Sequence, residues 1–304
     1  MIEVRNLQKS YGSTVAVNNV SFTLPEGKVV GFLGPNGSGK STTMRLMLGL
    51  DYGSGETLYD GKHLKELDSV TQVVGAHLDA KYFHPKRTAR NHLCMLGTEA
   101  GVSKSRVDEV ISLLGLSSVA DASPGGFSLG MGQRLGLAGA ILAQPKTLML
   151  DEPANGLDPQ SIQWLRDFLK EYASRGNTVF VSSHLLSEMQ LMADHIVVIA
   201  KGSLIADESM DEFIARSTSN DVLIRTDVAQ IKTLTQSLEL AGFSVTPESS
   251  NSLAIRGATL EAAGRVAFSV NAPVLELQSR QASLETAFIE ATASQQGYET
   301  GATQ

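Results

Sequence analysis

Val29-Val30-Gly31-Phe32-Leu33-Gly34-Pro35-Asn36-Gly37-Ser38-Gly39-Lys40-Ser41-Thr42 decides the fold. Val29 to Leu33 is a short apolar run of the kind that forms a buried strand, and Ser41 to Leu50 has helical spacing with few breakers. Between them lies a glycine-rich loop, so the order is strand, loop, helix, the context in which this pattern binds phosphate. Glycines let the backbone turn tightly enough for successive N–H groups to face one anion, and the helix N-terminus adds partial positive charge. On this reading Gly34, Pro35, Asn36, Gly37, Ser38 and Gly39 wrap a nucleotide's phosphates, and Lys40 reaches the β- and γ-phosphates. Ser41 offers the small hydroxyl that ligates Mg²⁺, and Thr42 touches a neighbouring phosphate.

Downstream, Leu148-Met149-Leu150-Asp151-Glu152-Pro153 repeats the theme of an apolar strand running into polar residues. Two adjacent carboxylates at a strand end have separate uses beside a phosphate loop. Asp151 can hold Mg²⁺ through its water shell, and Glu152 can orient and deprotonate an attacking water. Thr178 to Ser182 is a third strand, and Gln160 to Tyr172 is an amphipathic helix behind Pro159. His195 to Ile199 and Ser203 to Ala206 form a hairpin turned at Lys201 and Gly202. Parallel strands alternating with helices imply a doubly wound α/β core. Before it, Ile2 to Asn6 and Val20 to Leu24 alternate as strands, and helices at Arg106 to Leu114 and Gly132 to Ala143 make about 87–143 a helical subdomain. A composition shift near Ser217-Thr218-Ser219-Asn220 reads as a linker. It divides a nucleotide-binding domain, 1–216, from a small α+β domain, 217–304, whose order of elements is that of a split β-α-β unit with a polar tail from Ser294 to Gln304.

The chain has 304 residues, 42% of them apolar and 19% charged, enough for a sizeable core and against wholesale disorder. A net charge of −7 argues against a broad grip on nucleic acid. Cys94 is the single cysteine, so no intrachain disulfide forms and a reducing compartment is expected. The N-terminal MIEVRNLQKSYG lacks the apolar stretch of a secretory signal, and no apolar run approaches the roughly 18–20 residues of a membrane span. A membrane role therefore has to come through a partner.

Taken in order, these motifs resemble the ATP-binding cassette family over about residues 1–216. Phe127-Ser128-Leu129-Gly130-Met131-Gly132-Gln133-Arg134 looks like that family's signature sequence, with two departures: Leu129 stands where a first glycine is usual, and Gly132 at a position that is often polar. The resemblance implies that Ser128, Gly130 and Gln133 help bind ATP held by a second cassette, while Ser128 also reads as an ordinary helix N-cap. Asn155-Gly156-Leu157-Asp158 is similar to the D-loop that lines the interface between cassettes, and Asp158 equally caps the helix after it. His184 matches the switch histidine that contacts the γ-phosphate, and Tyr11 the aromatic that stacks on adenine. Aligning Val74-Gly75-Ala76 with the approach to the glutamine loop puts Asp79, followed by Phe83, His84 and Pro85, where a glutamine that ligates Mg²⁺ is usual.

The resemblance implies a P-loop NTPase, RecA-like core with an N-terminal antiparallel β subdomain and an α-helical subdomain. It further implies an ATPase that uses ATP and Mg²⁺, pairs with a second copy of itself around two nucleotides, and drives a separate multi-span membrane permease at the cytoplasmic face of a bacterial plasma membrane. Asp79, the Ser-Leu-Gly-Met signature and a short C-terminal domain containing Ser283-Leu284-Glu285-Thr286-Ala287-Phe288 are similar to drug-efflux and antibiotic self-resistance cassettes. A soluble cassette ATPase acting on ribosomes or DNA would carry two cassettes or an inserted coiled coil, and neither is in the sequence. A regulatory ATP-binding module that has lost hydrolysis sits poorly with intact Lys40, Asp151, Glu152 and His184.

Overall fold

A computed structural model of the chain describes residues 1–79, 83–84, 86–216, 221–280 and 283–293. Pro85, the Ser217–Asn220 linker and the tail from Ser294 lie outside these residues. Two compact units are present, Met1–Met210 joined by the chain from Thr292, and Asp211–Ala291, so that the division falls one residue into the helix Met210–Arg216.

The first unit opens with β1 (Ile2–Tyr11), β2 (Thr14–Leu24), β3 (Val29–Leu33), α1 (Lys40–Met47), β4 (Ser54–Tyr59), the single turn α2 (Val70–Val73) and β5 (Val74–His77). Helices α3 (Ala89–Glu99), α4 (Lys104–Leu113) and α5 (Leu129–Ile141) follow, then β6 (Thr147–Leu150), α6 (Pro159–Ser174), β7 (Thr178–Ser182), α7 (Leu186–Met192), β8 (His195–Ala200) and β9 (Ser203–Ser209). Six strands form one sheet in the order β5-β6-β7-β3-β8-β9, parallel except for β9 at its edge. Every residue of β3, β6 and β7 is buried, as expected of strands covered on both faces. Strands β2, β1 and β4 make a second, antiparallel sheet.

Alternation along β2 turns Phe22 inward, where it meets Phe32 of β3 and Phe180 of β7 with ring centroids 5.9 and 5.7 Å away. Phe32 and Phe180 stack at 4.9 Å. This aromatic triad joins the two sheets and fixes β3, hence the loop that leaves its end. Helices α3, α4 and α5 cluster together, each started by a side-chain cap: Thr88, Ser103 and Ser128 accept from the N–H groups of Asn91, Arg106 and Met131.

The second unit takes in α8 (Met210–Arg216) from Asp211, β10 (Asp221–Arg225), α9 (Ile231–Leu240), β11 (Ser244–Ser249), β12 (Ser252–Arg256), α10 (Leu260–Ser269), β13 (Glu276–Arg280) and α11 (Leu284–Ala293) as far as Ala291. Its strands form an antiparallel sheet in the order β11-β12-β10-β13, the topology of a split β-α-β unit. Val222, Ile224, Leu253 and Ile255 pack against Leu234 and Leu238 of α9 and Ala263 and Ala267 of α10.

The helices α2, α3, α7 and α8 and the strands β4 and β5 have no counterpart in the sequence reading. α3 carries no strong breaker-bounded apolar stripe, and β4 and β5 are short pieces whose strand character comes from their pairing with β1 and β6.

The triad generates a prediction. Phe180→Ala should cost about 3–5 kcal/mol, the range for removing a buried phenyl ring, and lower the denaturant midpoint without changing the slope.

Candidate nucleotide site

The carboxyl ends of β3, β6 and β7 lie side by side, and the polar residues of the site leave from them. After β3 the backbone passes through Gly34–Gly39 into α1. Gly39 has φ 105°, a left-handed conformation, and a Cβ there would lie 2.3 Å from the carbonyl oxygen of Ala16, so the position admits only glycine. The loop is clamped from both sides: Gly202 N–H donates to Ser38 O at 3.0 Å, and Asn18 N–H donates to Gly202 O at 2.7 Å. The hydroxyl and N–H of Thr43 both bond to Gly39 O, tying the loop to the first turn of α1.

Lys40 is only 7% exposed. Its ammonium donates to Gly34 O at 2.7 Å and Pro35 O at 3.4 Å, and stands 3.9 Å from Glu152 Oε1. Burial holds its pKa below the ordinary lysine value, an effect that the charges of Glu152 and Asp151 oppose. Ser38 Oγ is buried without a hydrogen-bond partner among the described residues. An unpaired buried hydroxyl beside a cradle of glycine backbone, with a lysine at its mouth, is a donor set that fits an anion. Ser41 is exposed and Thr42 half-buried in the first turn of α1.

Ser182, the last residue of β7, is fully buried and organises the carboxylates. Its Oγ donates to Asp151 Oδ1 at 2.5 Å and accepts from the Glu152 N–H at 2.9 Å. Asp151 is also fixed through its backbone, its N–H donating to His77 O at 2.9 Å. Glu152 has φ 49°, unusual for a residue with a side chain, and the Ser182 hydroxyl is what satisfies its N–H there. The Glu152 carboxylate faces the site: Oε2 accepts from His184 Nδ1 at 2.6 Å and from the His184 backbone N–H at 3.3 Å. Lys40, Glu152 and His184, some 144 residues apart in the chain at the extremes (184 − 40), thus form one connected row.

Other expected residues stand at the margins of this row. Tyr11 ends β1 and is 52% exposed; its OH donates to Asp51 Oδ2 at 3.2 Å, and Lys9 Nζ lies 4.9 Å from the ring centroid. The cation–π contact orients the ring from one side. Arg45 and then Tyr11, as hydrogen-bond donors, hold Asp51 below the usual carboxylate range. Asp79 is exposed two residues beyond β5, at the strand end next to Asp151, since His77 pairs with Leu150. Among the described residues no three His, Cys, Asp or Glu side chains gather as a metal site. Ser41, Asp151 and Asp79 carry hard oxygen donors of the kind that Mg²⁺ prefers.

Ser128 caps α5, its Oγ accepting from Met131 N–H at 3.3 Å, and Gly130 lies in the first turn. Asp158 caps α6, accepting from the N–H and hydroxyl of Ser161 at 2.8 and 3.0 Å. Gln133 lies apart from these groups: it is 7% exposed, and its amide oxygen accepts from His77 Nε2 at 2.6 Å, so its side chain is turned toward β5. One turn of α5 separates Ser128 from Gln133, enough to move from the exposed end to the buried face. Burial lowers the His77 pKa, an effect that the hydrogen bond to Gln133 opposes. Sequence reasoning also passed over Ser182, Lys9, Asp51 and His77. Only Ser182 carried a signal, a hydroxyl ending an apolar strand two residues before His184.

A family model described as ABC transporter matches residues 17–155, and one described as a domain of unknown function matches 220–285. The lantibiotic transport ATP-binding protein SrtF of Streptococcus pyogenes is 38% identical over 212 residues, 69% of this chain and 92% of that protein. YcbN of Bacillus subtilis, an uncharacterized ABC transporter ATP-binding protein, is 32% identical over 297 residues, 95% of this chain and 96% of its own, so the similarity includes the second unit. Among solved structures, the ATP-binding cassette MJ0796, in a dimeric post-hydrolysis state with ADP and phosphate, superposes with a TM-score of 0.61 at 25% identity, over 69% of this chain and 99% of that one.

Ser182→Ala would remove the acceptor of the part-buried Glu152 N–H and a donor to the Asp151 carboxylate. The expected loss is about 1–3 kcal/mol in denaturant unfolding, with Ser182→Thr, which keeps the hydroxyl, recovering part of it.

Proposed function

Since the chain belongs to the ATP-binding proteins of ABC transporters, we propose that two copies bind two ATP molecules at a shared interface and so energise a separate multi-span permease that exports an antibiotic, drug or lipid-like compound. ATP hydrolysis is the reaction of the family, and this chain is an ABC ATPase. The observation that carries the assignment of roles is the row Lys40, Glu152, His184 at the carboxyl ends of three adjacent strands. Support for the shared interface comes from the dimeric cassette to which the first unit is similar, and for an exported antibiotic from the lantibiotic transport relative.

The residues divide the work by their chemistry. Backbone N–H groups of Gly34–Gly39 and the start of α1 receive the phosphates. Lys40 exchanges the carbonyls of Gly34 and Pro35 for phosphate oxygens, and the displaced hydrogen bonds make it a selective reader of the nucleotide's charge. Tyr11 offers the ring face opposite Lys9 to adenine. Mg²⁺, held by Ser41, Asp151 and Asp79, would offset charge developing on the β- and γ-phosphate oxygens. Glu152 orients the attacking water and accepts its proton, and His184 steadies the carboxylate and contacts the γ-phosphate. Across the interface, Ser128 and the N–H of Gly130 at the start of α5 meet the γ-phosphate bound by the other copy, with Asp158 close to the two-fold axis.

Binding favours the closed pair, and cleavage with phosphate release removes that bias, which is how a chemical step does mechanical work. No described helix is long and apolar enough to cross a membrane, and the membrane path is assigned to the permease, with this chain at the cytoplasmic face.

Glu152→Gln should keep ATP affinity while lowering turnover by about 100-fold or more, measured as phosphate release beside nucleotide binding by fluorescence. Turnover at the parent rate would remove Glu152 from the role of base. The chain isolated from its own membranes is expected to bring down a multi-span protein; ribosomes in its place would overturn the transport reading.

A further inference from the structure

The departure at Leu129 has a counterpart elsewhere in the fold. Leu129 is 43% exposed at the start of α5, and its side chain leans on the backbone of Gly156: a Cβ at position 156 would lie 2.1 Å from Leu129 Cδ2. Gly156 has φ 72°, so the residue that admits the leucine is also one that the turn restricts to glycine. The contact is reciprocated one residue along each segment. Leu157 points back at Gly130, where a Cβ would stand 3.3 Å from Leu157 Cδ2, closer than most side chains approach. Leu129-Gly130 and Gly156-Leu157 are therefore two knobs and two holes facing each other.

Both segments are held from behind. Leu157 borders a small cavity shared with Gln133, Arg134, Pro153 and Trp164. Arg134 of α5 lies over the Trp164 ring of α6 at 4.7 Å and donates to Ser161 Oγ at 3.5 Å. On the other side, Asn155 N–H donates to Glu152 O at 3.1 Å and Leu157 N–H to Ala154 O at 3.2 Å, so consecutive turns connect Glu152 to Leu157 with little slack.

We infer that Leu129-Gly130 and Gly156-Leu157 interlock the signature segment with the D-loop of the same chain into one body, and that Leu129 is a positioning residue through which that segment sets Glu152. This rests on the shared-interface reading above: Ser128 and Gly130 serve the ATP bound by the other copy, whereas Glu152 serves the chain's own. The interlock thus carries the state of one nucleotide to the water-activating carboxylate at the other, and Leu129 replaces a glycine that could not reach Gly156.

The test uses the purified full-length chain and amide exchange. Leu129 is exposed enough that Leu129→Ala should fold with an unchanged melting temperature, yet it should speed exchange of the Asn155–Leu157 amides about tenfold. Leu157→Ala should do the same at Met131 and Gly132. With saturating ATP, Leu129→Ala is expected to lower kcat about tenfold at unaltered ATP affinity, and the double variant to lose no more than the worse single one, as coupled residues do. Additive losses, or exchange at 155–157 equal to the parent's, overturn the interlock. The Glu152→Gln chain sedimented with ATP separates the two layers of the argument. A monomer there sinks the shared interface and the coupling together, whereas a dimer whose 155–157 exchange is insensitive to Leu129→Ala sinks the interlock alone.

Discussion

An apolar parallel sheet leaves its polar residues one place to gather, the carboxyl edge, and a single buried hydroxyl governs what happens there. Ser182 sits at the end of β7, between the strand that carries the phosphate loop and the strand that carries the carboxylates. By donating to Asp151 and accepting from the Glu152 N–H, it satisfies groups that burial would otherwise penalise and fixes the left-handed backbone of Glu152. That backbone conformation aims the Glu152 side chain at Lys40 and His184. The sheet supplies the platform, since the triad of Phe22, Phe32 and Phe180 keeps β3 and β7 in register with the antiparallel sheet above them. The row of charged groups then follows from the geometry of adjacent strand ends.

The departures from the family's usual motifs can be read in the same physical terms. Leu129 is turned aside onto Gly156, leaving Ser128 and Gly130 at the start of α5. Asp79 follows the one strand whose end is tied to both Asp151 and α5, through the carbonyl and the imidazole of His77. A neutral histidine suits this place, because it can donate to Gln133 without introducing a buried charge. The second unit is a self-contained α+β body with its own core, and one relative is similar to this protein along nearly the whole chain.

Much of this was legible in the sequence because the signals are local. A five-residue apolar run before Gly34-Pro35-Asn36-Gly37-Ser38-Gly39-Lys40-Ser41 can be read as strand, loop and helix without knowing any contact, and β3, β6 and β7 each contain the apolar run that announces them. The same holds for Asp158 before Pro159, where capping needs only the next three residues. What could not be read was decided by partners far along the chain. β4 and β5 are strands because β1 and β6 pair with them, and Gln133 faces inward because His77, 56 residues earlier, meets it across the sheet edge.

Sequence alone therefore determined the chemistry: a phosphate loop, a pair of carboxylates, a histidine and a signature segment, each specified by residue type and near-neighbour spacing. Tertiary structure decided which of these groups touch, which way each side chain turns, and how a leucine out of pattern is accommodated. The reason is that a hydrogen bond or a close packing contact depends on separations of a few tenths of an ångström between residues that the chain brings together only when it folds.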